Sequence, residues 1–168
     1  MPRTIRQNII ALITGILCLY SCDNLDCPLL NTVYTTYGFY DVKSGQRITL
    51  SDTLTVSPAN SDTILINQIT GVNSIDLPMS FAGQSDTLLF KFCTSKNEIY
   101  TDTIIITHTN EPHFESIDCS PAIFHTITGS ELKKMTTGSG TSIINHITTE
   151  NTVVNYDPKE HFKVYISK

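Results

Sequence analysis

The stretch Thr87-Leu88-Leu89-Phe90-Lys91-Phe92-Cys93 places Leu88, Phe90 and Phe92 at every second position. Successive side chains of a β-strand point to opposite faces of the sheet, so this two-residue period indicates a strand with one buried face. A second stretch, Tyr100-Thr101-Asp102-Thr103-Ile104-Ile105-Ile106-Thr107-His108, is rich in β-branched residues. Both stretches predict half-buried strands.

The same kind of pattern extends outward in both directions. Thr32 to Tyr40 is rich in Thr, Tyr and Phe, and Phe162 to Ile166 alternates again, while turn signals such as Ser44-Gly45 and Asn110-Glu111-Pro112 separate the runs. Many short strands between turns predict a single antiparallel β-sandwich, immunoglobulin-like in broad architecture, with a closed β-barrel as the alternative. The segment Ser130–Met135 is predicted to form one or two helical turns.

The N-terminus has the organisation of an export signal. Arg3 and Arg6 precede an uncharged apolar run of a length that suits a signal peptide and is too short to span a bilayer. The following Leu19-Tyr20-Ser21-Cys22 resembles the lipobox of bacterial lipoproteins. That resemblance implies that residues 1–21 are removed and that Cys22 carries acyl chains, which anchor a protein to a membrane. Residues 22–31 are then a lipidated tether and residues 32–168 a single β domain.

The charge and composition of the chain limit the classes of partner that it can bind. The 168 residues carry a formal net charge of −5 and contain no tryptophan, and Lys133-Lys134 is the only adjacent pair of basic residues. Removal of Arg3 and Arg6 with the signal peptide makes the mature chain more acidic still. Binding to nucleic acid depends on clustered Lys and Arg, so we expect no nucleic-acid partner.

Three cysteines remain once Cys18 leaves with the signal peptide and Cys22 is assigned to lipid. An exported chain enters a compartment in which a disulfide persists. Cys27 beside Pro28 and Cys119 in a Cys-Ser-Pro turn both suit loop positions, so the sequence favours a Cys27–Cys119 bridge. Cys93 ends an apolar strand and is predicted to be a buried free thiol.

The triplet Asp-Thr-aliphatic occurs four times, with its Thr at positions 53, 63, 87 and 103. Turn chemistry is one explanation, because Asp favours turns and Thr favours strands. The triplet also resembles the O-glycosylation acceptor of exported proteins of Bacteroidota, which makes Thr53, Thr63 and Thr87 candidate sites. Thr103 is the least suitable because it lies within a strong strand pattern.

The sequence contains no clear catalytic or metal-binding signature. Three histidines, His108, His113 and His125, could converge if a hairpin turned at Asn110-Glu111-Pro112. Their spacing alone does not provide the ligand geometry that zinc requires. Glu115, Asp118, Asp157 and Glu160 are predicted to be surface charges. We therefore expect no catalytic residues, no metal and no cofactor, and the chain is predicted not to be an enzyme.

The layout of the chain resembles uncharacterised lipoproteins of Bacteroides-like bacteria. The matching stretches are Cys22-Asp23, Cys27-Pro28, Gly38-Phe39-Tyr40-Asp41, Ser74-Ile75-Asp76-Leu77-Pro78, Phe114 to Cys119, Asn155-Tyr156-Asp157 and His161 to Ile166. The resemblance implies a cell-envelope lipoprotein, anchored at the outer membrane, with a β-rich domain and no established activity. The leading functional hypothesis is a non-enzymatic module that binds an envelope protein or a glycan, or that supports the assembly of a larger complex. The alternative is a β-barrel that carries a small apolar ligand.

Overall fold

β-Strands are the regular structure of the residues that the computed structural model describes, namely residue 27 and residues 32–134 and 142–167. The expected signal peptide, residues 1–21, and the lipidation candidate Cys22 lie outside this part. The strands are β1 (Tyr34–Asp41), β2 (Thr53–Pro58), β3 (Ile66–Ile69), β4 (Ser74–Pro78), β5 (Ser85–Cys93), β6 (Ile99–His113), β7 (Ala122–Lys133), β8 (Ile144–Thr149), β9 (Val153–Val154) and β10 (Glu160–Ile166). In the described residues, no helix is long and apolar enough to span a membrane.

The strands form two sheets, which confirms the prediction of an all-β sandwich. The smaller sheet has the order β4-β1-β10-β8, and the larger has the order β3-β2-β5-β6-β7-β9. The pairings between these strands are antiparallel except for β1 with β10, which run parallel. The first and last strands therefore lie side by side in the middle of the smaller sheet, a departure from the purely antiparallel prediction.

The core fills the space between the sheets. Leu88, Phe90 and Phe92 of β5 are all buried, as their alternation predicts. From the opposite sheet, the Tyr37 ring packs 5.8 Å from Phe90 and 4.8 Å from Phe162, measured between ring centroids. Burial of large aromatic side chains supplies much of the hydrophobic stabilisation of such a core.

Asp102 of β6 connects the two sheets through its buried carboxylate. The carboxylate accepts hydrogen bonds from the backbone N–H groups of Ile143 (3.0 Å) and Ile144 (2.8 Å) and from the hydroxyl of Ser142 (2.6 Å). Ile144 is the first residue of β8, in the smaller sheet, and the other two donors directly precede it, whereas β6 belongs to the larger sheet. A buried charge is tolerated only when such partners satisfy it, so Asp102 holds β8 in position.

His161 makes a second connection between the sheets. Its Nδ1 accepts a hydrogen bond from the backbone N–H of Thr36 (3.1 Å), and its Nε2 lies 3.2 Å from the carbonyl of Val153. Because one ring nitrogen accepts and the other donates, the geometry fits a neutral imidazole. Burial lowers the pKa of His161, which agrees with the neutral form.

A disulfide joins Cys27 to Cys119 in the β6–β7 loop, the pair favoured from the sequence. The two Cα atoms lie 5.5 Å apart, and the bond closes a segment with a sequence separation of 92. It joins Cys27 to the end of the sandwich where β1 and β10 begin and β6 ends, called here the tether end. Cys93 is free, as predicted, but it is partly exposed, whereas a buried thiol was expected.

Two local predictions are wrong. Ser130–Lys133 is the end of β7 and not a helix, because these residues pair with Thr103–Ile106 of β6 and sheet pairing overrides their helix propensity. The Asn110-Glu111-Pro112 segment is not a turn, because β6 continues through it to His113. Pro112 is tolerated there because β5 pairs with β6 only as far as Thr107, so β5 requires no backbone N–H at position 112.

The substitution Asp102→Ala is expected to lower the free energy of unfolding by about 3 kcal/mol, because it leaves two buried N–H groups without an acceptor. Urea unfolding measures the change. Asp62→Ala, on an exposed loop position, is the control and should change stability by less than about 0.5 kcal/mol. Equal stability of the two variants would contradict a bridging role for Asp102.

Candidate functional site

An open groove of about 260 Å³ lies at the tether end, beside the first strand. Its side chains come from β1, from β4 and from the loop between β9 and β10. The polar and aromatic residues among them are Thr32, Tyr34, Thr36, Asp76, Asn155, Tyr156, Asp157 and Lys159. Segments that are distant in the chain meet here because β1 pairs with both β4 and β10.

The first wall of the groove is built by strand pairing. Thr36 of β1 lies opposite Asp76 of β4, and its hydroxyl donates to the Asp76 carboxylate at 2.6 Å. Tyr34 begins β1 and is 44% exposed, so its side chain remains accessible. This wall therefore offers a fixed carboxylate beside an aromatic ring.

The second wall is the β9–β10 loop. The Asn155 side chain accepts a hydrogen bond from the N–H of Asp157 at 2.9 Å, an arrangement by which Asn stabilises a turn. Tyr156 packs edge to face against Phe124 at 5.1 Å, and Phe124 in turn stacks on His113 at 4.2 Å. Tyr156 is still 42% exposed, so the wall holds its ring in place without covering it.

The chemistry of the groove suits binding. Its two partly exposed tyrosine rings offer apolar faces, while its carboxylates, amide and hydroxyls accept and donate hydrogen bonds. The positive charge in the groove belongs to Lys159, whose Nζ lies 3.4 Å from the Asp157 carboxylate. The charge of Lys159 is therefore balanced by Asp157. Burial and the charge of Glu115 raise the pKa of Tyr156, so the ring stays a neutral phenol at ordinary pH.

A row of three rings crosses the outer face of the same sheet. Tyr40 of β1 pairs with Tyr165 of β10, which pairs with His146 of β8. Tyr165 lies 5.8 Å from Tyr40 and stacks on His146 at 4.1 Å. Because these rings stack on one another across the strands, the row chiefly stabilises the sheet face.

Charged groups surround Tyr40 and satisfy one another. The Tyr40 hydroxyl donates to Glu160 at 2.8 Å, and Arg47 contacts both Tyr40 and the Glu160 carboxylate. Gly38 leaves room for this arrangement, because a Cβ atom at that position would overlap the Glu160 carboxylate. Glu160 is thus part of a surface network and is less exposed than the surface charge expected from the sequence.

Two of the three candidate metal-binding histidines, His108 and His125, lie close together, and both contact the side-chain amide of Asn110. Asn110 donates its side-chain N–H groups to the carbonyls of Ser80, Phe81 and Gly83 at 3.3, 3.0 and 2.7 Å. Its oxygen therefore accepts from Nδ1 of His108 (2.7 Å) and of His125 (2.8 Å). The cluster fastens the β4–β5 loop to the hairpin of β6 and β7.

The remaining contacts of this cluster are also protein groups. Nε2 of His108 lies 3.2 Å from the Asp86 carboxylate, and Asp86 also accepts a hydrogen bond from the N–H of Ser80 at 3.0 Å. His113 stacks on Phe124 instead of joining the cluster, because no turn brings it back. Within the described ranges, no group of three potential metal ligands is found.

The candidate glycosylation sites occupy different settings. Thr63 is exposed in the β2–β3 loop, where its oxygen accepts a hydrogen bond from Ser61, whereas Thr53 and Thr87 are partly buried within β2 and β5. In two of the triplets the Asp is structural: Asp86 binds Ser80 and faces His108, and Asp102 connects the sheets. Of the three candidates, Thr63 is the most accessible.

The groove residues were not recognised as a site from the sequence. Asn155-Tyr156-Asp157 and Ser74 to Pro78 appeared only as stretches shared with similar lipoproteins. The signal that could have pointed to the groove is the polar segment Asn155-Tyr156-Asp157, which carries a tyrosine just before the alternating pattern of residues 162–166. Its partner wall depends on the parallel pairing of β1 with β10, which no local pattern encodes.

Stability is expected to fall as the pH is lowered from about 6.5 to about 4, because burial and the nearby His108 lower the pKa of His125 from 6.5 to about 4. The unfolded chain takes up this proton first, so protonation favours unfolding in that interval, and His161 acts in the same direction. Urea unfolding across this pH range measures the effect. His125→Asn keeps a donor to Asn110 and should flatten the profile; an unchanged slope would contradict the assignment.

Comparison with known families supplies the classification of the chain. No curated protein and no solved structure matches it. Residues 53–166, from the first residue of β2 to the last of β10, match the family described as "Family of unknown function (DUF6452)". The match covers more than half of the chain and includes β4 and the β9–β10 loop, which supply most of the residues that line the groove. The chain belongs to this family of unknown function.

Proposed function

We propose that the protein is a cell-envelope lipoprotein, anchored at the outer membrane through acyl chains on Cys22, whose β domain is a non-enzymatic module that binds a glycan. The anchor rests on the lipobox-like Leu19-Tyr20-Ser21-Cys22. The observation that carries the binding function is the open groove between Tyr34 and Tyr156, with hydrogen-bonding groups along both walls.

A glycan fits the chemistry of this groove better than a charged or wholly apolar ligand. A sugar ring has an apolar face, which packs on an aromatic ring, and hydroxyls at its edge, which pair with carboxylates and amides. Asp76 and Asp157 disfavour an acidic ligand, and the single Lys159 is paired with Asp157. An open groove also accommodates a short stretch of a longer chain, so a neutral oligosaccharide is the proposed ligand class.

The proposed non-enzymatic role agrees with how the ionisable groups are used. Asp102, His108 and His161 are occupied with structural contacts and have almost no exposed surface. Glu160 is shared between Tyr40 and Arg47. These groups serve the fold, and the groove is left with groups suited to recognition.

Binding is expected to depend on Tyr156. On an array of neutral and acidic oligosaccharides, the soluble domain should retain neutral glycans, and Tyr156→Ala should weaken that binding about tenfold, equivalent to about 1.4 kcal/mol. Tyr156→Phe keeps the ring and should retain most of the affinity. Ile99→Ala, at the opposite end of the sandwich, is the control. Binding of the Tyr156→Ala variant at unchanged strength would reject the groove as the glycan site.

Anchoring is expected to depend on Cys22. Protein from native membranes should partition into the detergent phase and show a mass increased by acyl chains, and Cys22→Ser should abolish both properties, because acyl chains provide the membrane affinity. An unmodified mass for the natural protein would reject the anchor. The same spectra report glycosylation: additional mass that is lost in Thr63→Ala would identify Thr63 as a modified residue.

A further inference from the structure

The β6–β7 hairpin projects beyond β5 at the tether end, and β9 flanks part of this projection by pairing with His125 and Thr126 of β7. Ser85, the first residue of β5, pairs with Thr107, whereas β6 continues for six more residues to His113. At the rise of an extended strand, this projection is about 20 Å long. The loop at its tip, residues 114–121, includes Cys119, which is bonded to Cys27.

Large apolar side chains are exposed at this projecting end. Ile117 is 96% exposed, Phe81 is 76% exposed and Phe114 is 62% exposed, the three highest values for large hydrophobic residues in the described part of the chain. Isolated apolar side chains on a surface are ordinary, but a group concentrated at one end of a domain marks a contact with a partner or a membrane.

The backbone that carries these side chains is restrained by contacts on both loops. The carbonyl of Phe81 accepts a hydrogen bond from the Asn110 side chain at 3.0 Å, which binds the β4–β5 loop to the projecting part of β6. Phe114 and Ile117 lie within five residues of Cys119, whose disulfide restrains the loop. The three side chains therefore belong to one fixed end of the molecule.

The proposed anchor lies close to this end. Cys22 precedes Cys27 by five residues. Even a fully extended chain of that length spans at most about 18 Å. The disulfide then places the Cα of Cys119 only 5.5 Å from that of Cys27. Acyl chains on Cys22 would consequently hold the hairpin tip near the surface of the bilayer.

We propose that Phe81, Phe114 and Ile117 insert into the interfacial region of the lipid bilayer, so that the domain is oriented on the membrane with its hairpin tip downward. This inference rests on the proposed lipid anchor. Glu115 and Asp118 lie between and beside the apolar residues of the tip. The surface is therefore suited to uncharged or zwitterionic headgroups, and anionic lipid should weaken the insertion.

Tryptophan fluorescence provides the test, because the chain has no tryptophan of its own. Ile117→Trp and, as a matched control at the opposite end, Ile99→Trp are introduced into the full-length lipidated protein. Each is reconstituted into vesicles of phosphatidylcholine and phosphatidylethanolamine that contain lipids brominated near the headgroup. The Ile117→Trp emission is expected to shift to shorter wavelength and to be quenched, and the Ile99→Trp emission to do neither.

The outcomes separate this inference from the anchor on which it rests. Protein that floats with the vesicles but leaves the Ile117→Trp emission unquenched would overturn the insertion while retaining the anchor. Protein that does not float would overturn both. A blue-shifted Ile117→Trp emission that is the same without vesicles would show that protein covers the tip and would overturn membrane insertion. Phe114→Trp, as a second reporter, should behave like Ile117→Trp.

Discussion

The structure depends on the uninterrupted length of β6. Its first half lies in the core, where Ile104 and Ile106 are buried and Asp102 connects to the opposite sheet. Its second half leaves β5 behind at Thr107 and forms, with β7, the projecting hairpin. Continuity through Pro112 is possible because β7 is the one strand that pairs with this part of β6 among the described residues. A turn at that position would remove the support for the β4–β5 loop, the wall behind Tyr156 and the loop that holds Cys119.

Polar side chains connect the parts that the hydrophobic core does not orient. Apolar packing between two sheets is not directional, whereas hydrogen bonds to a buried group require particular positions. Asp102 fixes the start of β8, and His161 links β1 to β9. Asn110 donates hydrogen bonds to three carbonyls of the β4–β5 loop. Each of these groups is fully used by its neighbours. The groove differs because its carboxylates and rings are held in place yet remain open to solvent, which is the property that a binding site requires.

Local patterns in the sequence predict the strands but not their continuations. The alternation of Leu88, Phe90 and Phe92 correctly gave a buried face, and the loop character of Cys27 and Cys119 gave the pair that is joined. The turn signal at Asn110-Glu111-Pro112 was misleading, because a strand can continue through a proline where its neighbour has ended, and the end of β5 is not visible in the local pattern. The helix at Ser130–Met135 failed because pairing with β6 decides its conformation. The groove was missed because Asp76 and Tyr156 meet only through the parallel pairing of β1 and β10.

The tether end combines three features whose positions constrain one another. Thr32 and Tyr34 line the groove and follow Cys27 by only a few residues, so a ligand in the groove lies close to the point where the disulfide holds the chain. Under the proposed anchor, that point is near the bilayer, and a ligand must then reach the groove from the side of the domain. A long surface glycan or a chain lying along the membrane satisfies this geometry, because either presents a short segment laterally to an open groove. A compact soluble ligand gains nothing from such a position, so the placement of the groove favours an immobile partner in the envelope.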